Sequence, residues 1–257
     1  MTTREFFFAR RFVSRLAAGR PRMRSRVAAA ATRWGWMAAV VAKGLLLATA
    51  AGAAEISGSV TLIFKGRPAD RATADLRGVV LTYRPERRAP ASPPAGEFEI
   101  VTEDKEFRPR VLVVPAGSEV RFPNRDPILH NVFSVSEGNR FDFGLYGRGE
   151  GKAVAFEAPG IARVYCNVHH SMVAYVVVLD TPHTARPEED GSFRLAGLPP
   201  GAGTLTAWHE RTEEWSGEVE VPAAAPLALR LEVTRPPVPP HLDKHGSVYR
   251  RDRDYQP

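Results

Sequence analysis

The chain has 257 residues, 44% of them hydrophobic and 25% charged, a balance that excludes a mostly disordered chain and suffices for one large domain or two modest ones. Its formal net charge of +6 is unevenly placed: ten Lys and Arg residues, against the single acid Glu5, lie before Glu55. Residues 55–257 hold 25 bases and 28 acids, a net of −3, which argues against a nucleic-acid partner for that part.

Residues 1–54 read as an export signal. Arg20, Arg22, Arg24, Arg26 and Arg33 form a positive region, an apolar stretch runs from Met37 to Ala50, and Ala51-Gly52-Ala53-Ala54 supplies small residues suited to cleavage. A retained membrane anchor is the alternative, but Lys43 interrupts an apolar run already short for a bilayer span. The positive region is long enough for Met23 to be the true start, and Arg10-Arg11 is a weak twin-arginine signal because no apolar run follows closely. The expected destination is a bacterial periplasm, with no membrane attachment after cleavage.

From Glu55 onward the pattern predicts strands. Ile56–Phe64 and Gly78–Tyr83 are β-rich runs bounded by turn residues, and Arg88–Gly96, rich in Pro and Ala, reads as a linker. Further strands are predicted over 98–101, 110–114, 119–122, 131–135, 153–156, 162–165 and 173–179, separated by Pro115-Ala-Gly, Pro123-Asn, Glu137-Gly-Asn and Pro159-Gly. A third group covers 192–195, 204–208, 217–221 and 227–233, and 236–257 reads as an irregular tail. No segment after the signal sustains a helical period, so the predicted fold class is all-β, built as antiparallel sandwiches or barrels.

Cys166 is the only cysteine, so an exported chain of this kind is no disulfide scaffold. It stands in Tyr165-Cys166-Asn167-Val168-His169-His170-Ser171-Met172, with Leu129-His130-Asn131-Val132-Phe133 upstream. One thiolate, two imidazoles and a thioether are the donors of a trigonal His, His, Cys copper site with a long axial Met. Zinc more often recruits further thiolates or carboxylates. The bland alternatives are a buried apolar cysteine, a Met filling a core gap and ordinary histidines. A Cys-His hydrolase pair is disfavoured because it usually sits on a fold with a helix under the Cys.

Residues from about Phe98 to Leu179 resemble a cupredoxin domain. The Cys-x-x-His-x-x-Met loop has the short spacing of amicyanin, and His130-Asn131-Val132 resembles the segment of that family's first ligand histidine. The resemblance implies one type 1 copper ion on His130, Cys166, His169 and Met172, with Asn131 pinning the two ligand loops together; His170 is the alternative ligand. Phe107–Gly117, Arg121–Asp126, Phe141–Gly149 and Val164–Met172 resemble bacterial methylamine utilisation and plastocyanin-like proteins.

The flanks resemble a carboxypeptidase-regulatory-like module, a small transthyretin-like sandwich. Gly58-Ser-Val60, Gly66-Arg-Pro68 and Val79-Val80-Leu81 match its first half, and Asp190-Gly-Ser-Phe followed by Leu198-Pro-Pro-Gly matches its second. The expected division is a signal at 1–54, the first half-module with linker at 55–95, a cupredoxin Greek-key sandwich at 96–181, the second half-module at 182–235 and the tail at 236–257. The cupredoxin is either inserted into the module or preceded by an extension of its own. His183, His241 and His245 are expected at the surface, and Trp208-His209 in packing. The implied function is periplasmic one-electron transfer, with a c-type cytochrome or a periplasmic dehydrogenase as partner and no enzyme activity, since four donors leave no open position for a substrate. The alternatives are a copper carrier or sensor, and a copper-free interaction protein.

Overall fold

The computed structural model describes residues 54–70, 75–87 and 91–249. The export segment, Ala54 apart, and the last residues of the tail lie outside the described residues. Apart from one 3-10 turn at Leu76–Gly78, the regular structure described is all strand: the fold is all-β.

The chain opens with β1 (Ile56–Phe64), β2 (Arg67–Pro68) and β3 (Val80–Pro85). It continues through β4 (Glu97–Glu99), β5 (Val101–Glu103), β6 (Glu106–Arg108), β7 (Val111–Pro115) and β8 (Ser118–Asn124). Then come β9 (His130–Ser134), β10 (Phe141–Tyr146), β11 (Gly149–Phe156), β12 (Gly160–Cys166) and β13 (Val173–Leu179). It closes with β14 (Thr184–Ala185), β15 (Ser192–Leu195), β16 (Gly201–Trp208), β17 (Trp215–Val221) and β18 (Leu227–Glu232).

These strands make four sheets and two sandwiches. In the first, β15-β1-β18 with β2 faces β14-β3-β16-β17 across a core that includes Ile56, Leu62, Leu81, Tyr83, Leu205 and Leu231. In the second, β10-β9-β12-β13-β7 faces β11-β8-β5-β6, with β4 beside β8, across Ile100, Phe122, Phe156, Val164 and Val176. The first sandwich is assembled from both ends of the chain. β1 runs parallel to β18, with Val60 opposite Leu229, and antiparallel to β15, while β14 pairs with β3 at Thr184 and Thr82. Gly58 lies opposite Leu227 of β18, and a Cβ there would lie 2.2 Å from the Leu227 carbonyl oxygen.

β13 explains why its seven residues are all apolar. Ala174, Val176 and Val178 point into the second core, while Val173, Tyr175, Val177 and Leu179 point the other way and pack with Val80 and Trp208 of the first sandwich. A strand buried on both faces loses the polar alternation of a half-exposed one. Trp208 meets Tyr175 edge-on at 5.6 Å, and the neighbouring His209 is 1% exposed, so this pair is packing, as expected.

Besides the short strands β2, β6 and β14, which had no predicted counterpart, the structure differs from the predicted strands in two places. The run predicted over 98–101 is two short strands, β4 and β5, interrupted at the buried Ile100, whose N–H donates to the Arg121 carbonyl. β10 had no predicted counterpart, because Gly144 at φ 69° and a register shift between Asp142 and Leu145 interrupt its alternation. β10 is the edge strand beside β9 and places Leu145 opposite Asn131 and Tyr146 opposite His130.

Candidate metal centre

The site forms where two strands end side by side. β12 delivers Cys166 as its last residue, opposite Val132 of β9, and His130 is the first residue of β9. The loop from Cys166 to Met172 then folds back on itself: the Met172 N–H donates to the His169 carbonyl at 3.1 Å, and the Cys166 N–H to the Met172 carbonyl at 3.3 Å. A seven-residue turn closed in this way brings His169 back over the cysteine.

His130 Nδ1 lies 3.8 Å and His169 Nδ1 3.7 Å from Cys166 Sγ, and the three donor atoms all fall within 4.8 Å of one another. The imidazole rings are 4.7 Å apart at 48°. His130 and Cys166 are fully buried, and His169 is 8% exposed. Metal–nitrogen and metal–sulfur bonds of about 2.0–2.3 Å spread about 120° apart put donors about 3.7 Å from one another. The two sulfur–nitrogen separations therefore suit a single ion in a trigonal plane.

The protonation states suit one as well. His130 Nε2 donates to Asp126 Oδ2 at 2.9 Å, so its lone pair sits on Nδ1 and faces the sulfur. Burial, reinforced by the neighbouring His169, moves the His130 pKa below its ordinary value, keeping the ring neutral and able to donate. Burial opposes the charge on Asp126, but the N–H groups of Lys105 and Asp104 and the contact with His130 outweigh it and hold this carboxyl below its usual range. A carboxylate behind a ligating histidine fixes its tautomer and raises its basicity. Asp126 was not singled out from sequence; its only signal is that it lies four residues before His130.

The other expected site residues divide. Met172 is 1% exposed and packs in the same core as Cys166. Asn131, expected to pin the two ligand loops together, donates its Nδ2 to Asp142 on β10 at 2.6 Å. His170, expected as the alternative ligand, is half-buried in a ring stack with His241 at 4.4 Å and 11°. His241 is half-buried too, lying against Tyr165 on its other side at 4.1 Å and 14°. The expectation that His241 belongs to the open surface is therefore corrected: the tail carrying it is irregular but docked. His183 is also half-buried, while His245 is exposed.

No protein-family model matches the chain, and no curated protein matches it. Among solved structures, a purple cupredoxin from Nitrosopumilus maritimus is similar at 25% identity over 32% of this chain and 98% of its own, with a TM-score of 0.28. A pseudoazurin from Sinorhizobium meliloti is similar at 21% identity over 34% of this chain and 77% of its own, TM-score 0.29. A reduced amicyanin variant is similar at 21% identity over 38% and 98%, TM-score 0.31. These neighbours are cupredoxins. The fold and the site stand on their own strand pairings and distances.

The site's surroundings are apolar and partly open. Leu129 is 55%, Val168 42% and Leu145 62% exposed, flanking His130, His169 and Asn131 respectively. Among the described residues no helix is long and apolar enough to cross a membrane.

Proposed function

We propose that this chain is an exported, periplasmic type 1 copper protein that carries single electrons and is not an enzyme. The observation that carries the reading is the buried triangle of Cys166 Sγ, His130 Nδ1 and His169 Nδ1. One thiolate with two neutral imidazoles is the donor set of a trigonal copper site, whereas zinc more often recruits further thiolates or carboxylates, and the buried Met172 is the candidate for the weak axial donor. Copper in such a set supplies a one-electron couple whose potential depends on the axial donor and the surroundings of the sulfur.

The chain's own residues do the rest. Asp126 orients His130, the closed loop holds His169 over Cys166, and the core around them excludes water. His169 is the more exposed of the two rings, and the apolar side chains of Leu129 and Val168 beside the ligands make a small face for brief docking. Weak redox encounters use interfaces of that kind. The partner proposed is a c-type cytochrome or a periplasmic dehydrogenase, in a setting like that of the methylamine utilisation proteins.

The first sandwich is proposed to be a carboxypeptidase-regulatory-like module interrupted by the cupredoxin domain. Supporting this, β1 and β3 pair with strands that follow residue 181. The division at 55–95, 96–181 and 182–235 belongs to the same proposal.

Electrochemistry of the copper-loaded protein tests the function. A reversible one-electron wave with fast exchange to a soluble c-type cytochrome supports transfer. Copper that leaves for a partner apoprotein without cycling supports the carrier reading instead.

A further inference from the structure

After β18 the chain stays on the molecule through Tyr249. It crosses from the first sandwich to the second: the Thr234 and Arg235 N–H groups donate to the Arg211 carbonyl, and Arg110 on the second sandwich donates to the Pro237 carbonyl. A tight turn follows, in which the Asp243 side chain accepts from the N–H groups of His245 and Ser247. The segment then reaches the ligand loop, where the Tyr249 hydroxyl donates to the carbonyl of Cys166 at 2.9 Å.

The contacts fall on both sides of the cysteine. His241 stacks between Tyr165 and His170, and Tyr249 packs edge-on against His170 at 5.0 Å. The Lys244 N–H donates to Asn167 Oδ1 at 2.9 Å, while its ammonium pairs with Asp142 at 2.7 Å. Asp142 accepts from Asn131 through its other oxygen. One lysine and one carboxylate thus join the residue after His130 to the residue after Cys166.

We propose that this C-terminal strap positions the metal centre: His241, Lys244 and Tyr249 hold the Cys166–His170 loop in its ligating shape and restrict access to the thiol. Within the loop, two hydrogen bonds around Met172 tie backbone to backbone. The strap adds two bonds that each involve a side chain, from Tyr249 and to Asn167, and the His241 ring stacks, all from 71 or more residues away in sequence. The role toward copper rests on the function proposed above; the role toward the loop does not.

The test uses the mature protein free of metal. The rate at which Cys166 reacts with a water-soluble disulfide reagent reports how often the loop opens. Truncation after Val238 is expected to raise that rate about tenfold, and Tyr249→Phe, which keeps the ring and removes only the hydroxyl, to raise it by a smaller factor. Circular dichroism checks that each variant is folded, and Tyr249→Phe carries the test if the truncated chain is not. In copper-loaded protein, Tyr249→Phe is expected to shift the visible band and the reduction potential, which a merely stabilising contact would leave in place. An unchanged thiol rate in the folded variants, or an unchanged band and potential, overturns the proposal. If the intact chain takes up no copper, the function reading fails, and the thiol rates still decide whether the strap holds the loop.

Discussion

Asp126 Oδ2 lies 2.9 Å from His130 Nε2, and this contact decides which nitrogen His130 turns toward Cys166. The carboxylate is itself fixed by the Asp104 and Lys105 N–H groups, so it is a rigid anchor rather than a mobile counter-charge. Asp126→Asn leaves a side chain of the same shape that favours neither tautomer. Copper affinity, measured by competition with a chelator, is expected to fall about tenfold or more. An unchanged affinity removes Asp126 from the site.

His169 and His170 are adjacent in sequence but diverge in space. His169 turns its Nδ1 to the sulfur, whereas His170 stacks on His241. His169→Ala is therefore expected to abolish the visible copper band, and His170→Ala to retain it with a shifted position. The opposite outcome, read from absorption spectra of the two variants, reverses the ligand assignment.

Close approach of β1 and β18 at Gly58 makes a sharp test of the first sandwich. Any side chain there meets the Leu227 carbonyl, so the two strands must separate. Gly58→Ala is expected to destabilise the protein by about 1–3 kcal/mol in denaturant unfolding. Because the contact is in the other sandwich, the copper band of the folded variant should be unchanged.

Acid should release the strap. The Lys244 ammonium and the N–H of Gly144, with Asn131, outweigh burial and draw the Asp142 pKa down to about 2. A depressed carboxyl contributes fully above its unfolded pKa of about 3.9, and the contribution is lost as the pH falls from there through about 2. The Asp142 side chain is 42% exposed in this pair, so screening limits the effect to about 1 kcal/mol or less. The amide resonance of Lys244, followed by NMR, is expected to move over that window in the native chain and to stay flat in Asp142→Asn. Movement of equal size in both chains would assign the transition to another group.

How far sequence reached differs between the strands and the site's supports. β1, β13 and β15 were legible over their full length, because apolar runs bounded by Gly, Pro and charged residues leave little choice of element. The gathering of Cys166, His169 and His130 was legible from donor type and loop length. β10 was not, since a glycine and a bulge erase the alternation that marks a strand. Neither was Asp126, whose role comes from a bend that returns residue 126 to the ring of His130. The strap was least legible of all. Proline and charge over 236–249 carry no periodicity, and what orders that segment is contact with residues such as Asn167, Asp142 and Cys166, far away in sequence. Local pattern reports the strands; it does not report which distant surface an irregular segment will meet.

Cys166, His130 and His169 are proposed to bind one copper ion through a covalent thiolate bond. Adding Cu(II) to the purified mature protein and recording visible absorption with electron paramagnetic resonance tests it most directly. An intense thiolate-to-copper band that saturates at one ion per chain and vanishes in Cys166→Ala is the expected result. No such band, with the Cys166 thiol still open to reagents after copper is added, would contradict it.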